Sequence, residues 1–180
     1  MDYRLRRVAA AGLLAALAIA LNFPLLGVPN LEVFSLCMFI SGLFLGFWGG
    51  LVVPLVAGLI FVMFNPNGSP SLITVVIAQL IGFILFGIAG ALFGKSILKN
   101  KNRIIGITFC AAIGVVFTFL YDALTNIAFA LTIGPFWPTL ASGIAFSLWH
   151  IVSNGIIFGI SEPLMVKLWR IAGPRLYQLS

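Results

Sequence analysis

The chain has 180 residues, 62% of them apolar and only 8% charged, with ten Lys and Arg against four Asp and Glu for a net charge of +6. A soluble domain carries roughly 25% charged and about 45–50% apolar residues, so this composition cannot supply a water-facing exterior. It excludes a soluble enzyme, a disordered tail and a nucleic-acid binder, and it predicts an all-α integral membrane protein.

A transmembrane helix needs roughly 20 residues, so six would use on the order of 120 and leave about 60 for turns and tails. A transmembrane barrel would demand short alternating strands with polar lumen residues. The apolar runs here are long and do not alternate. They predict one domain, 1–180, of six transmembrane helices, with spans at about 8–23, 32–47, 51–64, 72–98, 104–133 and 139–169.

The breaks have local causes. Asn22 and Pro24 end the first run, and Trp48-Gly49-Gly50 is expected to stop the second. Asn65-Pro66-Asn67-Gly68-Ser69-Pro70 closes the third with dihedrals no helix uses. Gly134-Pro135-Phe136-Trp137-Pro138 separates the last two runs.

The basic residues fall in three clusters: Arg4, Arg6 and Arg7; then Lys95, Lys99, Lys101 and Arg103; then Lys167, Arg170 and Arg175. With six spans, all three lie on one side of the bilayer. The segments 23–31, 65–71 and 134–138 contain neither Lys nor Arg. The positive-inside rule therefore predicts a multi-pass protein of the cell membrane with both termini cytoplasmic. The first segment also resembles a cleavable signal peptide, with arginines before an apolar stretch and Ala18-Ile19-Ala20. The charge pattern is satisfied without cleavage, which favours a retained helix.

Ionisable and amide groups inside apolar runs are costly, so each is a candidate site residue. Asp122 and Asn126 share one helical face at a spacing of four, as do His150 and Asn154. Asp122 and His150 each lie about ten residues, roughly 15 Å, from the outer end of their spans. Gln79 enters from the same side to about 10 Å. Tyr121 and Trp149 adjoin these groups, with Phe119, Phe129, Trp137 and Phe146 nearby, and Glu32, Asn22, Asn30, Asn65 and Asn67 gather at the outer mouth. A mostly apolar cavity with a few aimed polar groups suits a small ligand. The candidate binding residues are thus Gln79, Tyr121, Asp122, Asn126, Trp149, His150 and Asn154. The same groups admit a second role: Asp122 and His150 could pair and lock spans five and six, and the asparagines could be interhelical glue.

Small residues form a second pattern, Ala11-x-x-x-Ala15 and Gly12-x-x-x-Ala16 on the first span, with Gly42-x-x-x-Gly46 and Gly90-x-x-x-Gly94 further on. Such spacing permits close helix approach, either within the bundle or to a partner. Cys37 and Cys110 read as small core hydrophobes rather than a disulfide. Glu162-Pro163 reads as structural or partner-facing.

Catalysis is not expected. No Walker-type phosphate loop, Gly-x-x-x-x-Gly-Lys followed by Ser or Thr, is present. The single His cannot build a catalytic zinc site, so neither metal nor cofactor is expected. A serine nucleophile would have to meet His150; Ser142 is two turns away on the same helix, and only Ser41 matches in depth.

Several pieces together resemble a known family. They are Leu14-Ala15-Ala16-Leu17-Ala18 followed by Leu21-Asn22-Phe23, the loop Asn65-Pro66-Asn67-Gly68, and Ala78-Gln79-x-x-Gly82 with Gly87. Tyr121-Asp122-x-x-Thr125-Asn126 and His150-x-x-Ser153-Asn154 complete the set. The whole resembles a substrate-binding S component of an energy-coupling factor (ECF) transporter. That resemblance implies high-affinity binding of a vitamin or related micronutrient from outside. It implies docking on a membrane coupling subunit that carries two cytoplasmic ATPases. The family's docking face matches Ala11 and Ala15 by position, with Gly12 and Ala16 as the neighbouring frame. The missing ATP site would then lie in the partners, and the lack of a His-rich N-terminus argues against a nickel or cobalt variety. The alternative function is a self-contained small carrier or a structural membrane subunit, although residues 1–90 and 91–180 show no repeat of the kind carriers use.

Overall fold

The computed structural model describes residues 3–28, 30–66 and 71–176, apart from the side chain of residue 175. Residues 67–70 of the expected third turn therefore lie outside the described residues. Among those described, the chain is helical throughout: α1 Tyr3–Asn22, a 3-10 turn Phe23–Gly27, α2 Phe34–Phe64, α3 Ile73–Lys99, α4 Arg103–Ile133 and α5 Phe136–Leu176. Five helices are long and apolar enough to cross a membrane. Their outward faces carry large apolar side chains, such as Leu13, Val52, Ile77, Val116 and Ile160, as a lipid-facing surface requires.

Two expected spans, 32–47 and 51–64, fall within the one helix α2. The break expected at Trp48-Gly49-Gly50 is helical, and the non-helical residue is Gly46, with φ 72° and ψ −164°. That region of backbone space is essentially open to glycine alone. The chain folds back there. Phe34 and Phe61 stack with ring centroids 4.6 Å apart, whereas a straight helix would separate them by about 40 Å. At the tip, the Ser41 hydroxyl donates to the Met38 carbonyl at 2.7 Å and reaches that of Gly49 at 3.5 Å. Arg7 from α1 donates to the Leu45 carbonyl, satisfying an acceptor that the turn strips of its helical partner. Gly46→Ala is expected to cost about 1–3 kcal/mol of stability, read as a lowered unfolding temperature in detergent.

The two arms of α2, 34–45 and 47–64, close on α3 at backbone distance. A Cβ at Gly42 or Gly50 would collide with the Gly87 carbonyl, and one at Gly90 with that of Phe39. Around this contact Phe34, Phe39, Phe83, Phe86 and Phe158 form the buried aromatic core. Cys37 and Cys110 are buried in it as free thiols.

Helices α4 and α5 pair antiparallel, and their register can be read from partners across the seam. Asn126 meets Ser147, Asp122 meets His150, Thr118 meets Asn154, and Gly114 lies against Phe158. Nearer the other end Gly106 lies against Glu162. The end of the bundle holding the α2 tip also gathers Arg4, Arg6 and Arg7, the α3–α4 basic cluster, and the C-terminal part of α5, where Trp169 packs on Phe44 at 5.3 Å. The opposite end carries polar groups and a cavity.

The α1 small residues divide between two faces. Ala11 and Ala15 turn inward against the core, while Gly12 and Ala16 are exposed, with open space where a Gly12 Cβ would stand.

Candidate functional site

A cavity of about 660 Å³ opens at the end of the bundle away from the basic residues. Every element contributes to its wall. Asn22 ends α1, Leu25 to Gly27 belong to the 3-10 turn, and Val28, Asn30 and Glu32 come from the link into α2. Phe61 and Asn65 come from the far end of α2, and Gln79 from α3. Tyr121, Asp122, Thr125 and Asn126 line it from α4, and Phe146, Ser147 and His150 from α5.

The link between α1 and α2 is held in place by side chains. Asn22 is buried and its Oδ1 accepts from the Val33 amide at 3.1 Å. Asn30 adopts φ 57°, a left-handed conformation that asparagine tolerates better than most residues. Its Nδ2 donates to the Phe146 carbonyl at 2.8 Å, and its own carbonyl accepts from the Ser153 hydroxyl at 2.8 Å. These bonds pin the link onto α5. Glu32 then caps the start of α2, its Oε2 accepting from the Ser35 amide at 2.8 Å, where the helix dipole favours a negative group.

The inner wall is a network centred on His150. Nδ1 lies 2.8 Å from Asp122 Oδ1, and Nε2 lies 3.6 Å from Glu32 Oε1. Asn154 Nδ2 stands 3.0 Å from both Glu32 Oε1 and Thr118 Oγ1 and 3.1 Å from His150 Nε2. A neutral imidazole that donates from Nδ1 to Asp122 can accept at Nε2 from Asn154; a doubly protonated one would turn an N–H toward Glu32 instead. Tyr121 meets the imidazole edge-on, with centroids 6.0 Å apart. Nearer the mouth, Asn126 donates to the Ser147 hydroxyl at 2.8 Å.

Of the residues singled out from sequence, Gln79, Tyr121, Asp122, Asn126 and His150 stand together in this wall. Two stand elsewhere. Trp149 is 54% exposed and turned toward the outside of the bundle. Asn154 is fully buried behind the wall, where it holds Glu32, Thr118 and His150 in register. Substituting Asn154→Ala is expected to destabilise the fold by about 1–3 kcal/mol, since it deprives buried acceptors of their donor. Thermal unfolding in detergent measures that loss.

Glu32 is the residue the sequence reading undervalued. It was legible only as an acid at the mouth, one of four in the chain, and its contact with His150 spans more than a hundred positions. Ser41, the serine matching His150 in depth, sits instead at the α2 tip. Among the described residues no group of three or more His, Cys, Asp and Glu is arranged to hold a metal ion. The arrangement is suited to enclosing a small molecule between hydrogen-bonding side chains and aromatic rings.

The chain matches no protein-family model, no curated protein and no solved structure. Its multi-pass helical architecture and cavity therefore have to carry the functional argument.

Proposed function

We propose that this protein is the membrane-embedded binding subunit of an ECF-type importer, an S component. It captures a vitamin or related small molecule from outside and delivers it to a coupling subunit and two ATPases. The observation that carries this reading is the cavity of about 660 Å³, lined by amide, carboxylate and imidazole groups at the end of the bundle opposite the basic clusters. With the basic end in the cytoplasm, as the positive-inside rule requires, the cavity faces outward and both termini face inward. The protein would then reside in the cell membrane, bind without chemistry or cofactor of its own, and leave ATP hydrolysis to its partners.

Counting the two arms of α2 separately gives six helical segments that alternate in direction. The arm 34–45, about 18 Å long, is too short to cross about 30 Å of hydrocarbon by itself and lies within the bundle. On the docking face, the outward frame Gly12 and Ala16 suits close approach of a partner helix better than Ala11 and Ala15, which already face the core.

The Asp122–His150 bond at 2.8 Å favours one rival reading, a structural subunit locked by that pair. Affinity purification from membranes of the source cells separates the two. A binding subunit co-elutes with a coupling protein and two ATPases, and Gly12→Leu weakens that association while leaving the fold intact. Elution without any ATPase, from freshly solubilised membranes, would count against the ECF assignment.

A further inference from the structure

The cavity is electrically one-sided. Two of the chain's four acidic residues, Glu32 and Asp122, stand in its wall, and no described Lys or Arg does. His150 lies between them, 2.8 Å from Asp122 and 3.6 Å from Glu32. Two carboxylates beside a neutral imidazole carry two negative charges, and a protonated imidazolium cancels one of them. With both carboxylates ionised, the wall is negative whether the imidazole is neutral or protonated.

An unbalanced charge in such surroundings is expensive, and it is relieved by a counter-charge with donors. The hydrogen bonding is also incomplete. Asp122 is 8% exposed, and its Oδ2 is buried with no hydrogen-bond partner among the described residues. Three aromatic side chains, Phe61, Tyr121 and Phe146, line the same space, and ring faces attract cations. A metal ion fits poorly, because the acidic and imidazole groups are not grouped as ligands and the space far exceeds an ion. Its volume lies within the range of roughly 300–1,000 Å³ that organic ligands occupy.

We propose that the ligand is an organic cation, a protonated amine or a quaternary nitrogen on a body of vitamin size, seated with its charge toward Glu32 and Asp122. This rests on the binding reading above. It disfavours ligands whose recognised group is a carboxylate or phosphate, which would face Glu32 and Asp122 with no Lys or Arg among the described residues of the wall.

The test uses the purified full chain in an uncharged maltoside detergent, titrated with three probes of one ring size. Benzylamine is cationic at neutral pH, benzyl alcohol is neutral and benzoate is anionic. Saturation-transfer NMR reports binding of each, and the charge of any metabolite carried through purification is read by mass spectrometry. Benzylamine is expected to bind about tenfold tighter than benzyl alcohol, with benzoate showing no binding. Glu32→Gln, which keeps the side-chain shape, should erase most of that preference. Equal binding of all three probes, or a preference for benzoate, overturns the cation assignment and leaves the cavity as a binding site. Where no probe binds, a retained cationic metabolite upholds the proposal and a neutral or anionic one overturns it. No probe binding and no metabolite would defeat the binding reading itself.

Discussion

Gly87→Val is expected to yield no folded protein. Its Cβ would meet the Gly50 carbonyl and stand 2.8 Å from Cγ of Pro54. Overpacking usually costs about 1–3 kcal/mol because side chains rotate away. Here the obstacle includes main chain, and the Gly42 and Gly50 contacts lie in the same seam, so α3 would have to leave both arms of α2 at once. Size-exclusion chromatography of the solubilised protein should show aggregate in place of a monodisperse peak. Gly12→Val is the matched control, since open space surrounds that position on the exposed face of α1. A Gly87→Val protein that elutes and melts like the wild type would refute the hairpin packing.

The second large effect falls on binding. Asp122→Ala removes one of the two carboxylates from the cavity and leaves the His150 Nδ1 without its partner at 2.8 Å. If Asp122 faces the ligand's charge, losing that buried charged contact costs about 2–5 kcal/mol, or roughly 30- to 5,000-fold in affinity. Isothermal titration with the identified ligand measures this. Asp122→Asn should fall between, because its amide oxygen still accepts from the imidazole while its charge is gone. A pair serving only to lock α4 to α5 would behave differently, with a lower unfolding temperature and unchanged affinity.

The long apolar helices were legible in the sequence where polar or turn-forming residues end an apolar run. The spans expected at 72–98 and 104–133 correspond to Ile73–Lys99 and Arg103–Ile133 within a residue. The last helix starts earlier than the proline-rich break suggested, because Pro138 falls in the first turn of α5, where a missing N–H leaves no bond unmade. The α2 reversal was harder to locate. Gly42, Gly46, Gly49 and Gly50 are equivalent in composition, and only tertiary contact decides which one takes the positive φ and which admit α3. Orientation of α1 was illegible for a related reason. The helix has small residues on both faces and an apolar surface all round, so its pattern does not distinguish Ala11 and Ala15 from Gly12 and Ala16.

In the site, Asp122 and His150 were conspicuous as ionisable groups inside apolar runs, and matching their depths was enough to pair them. Trp149 was grouped with His150 through adjacency in sequence, yet one helical step turns it about 100° away from the cavity. Asn154 shares the His150 face but lies a full turn deeper, beneath the wall. Asn22, Asn30 and Glu32 depend on how the link after α1 folds over α5, and the bonds that fix it join residues far apart in sequence.

Whether this cavity holds a small molecule is read by mass spectrometry of compounds released on denaturing wild-type protein purified from cells grown in a vitamin-rich medium. One dominant small molecule is expected, close to equimolar with the protein and displaced by an excess of the same compound. A protein stably folded in detergent that releases no compound above the detergent blank, and takes none up on incubation with the growth-medium extract, would contradict that expectation.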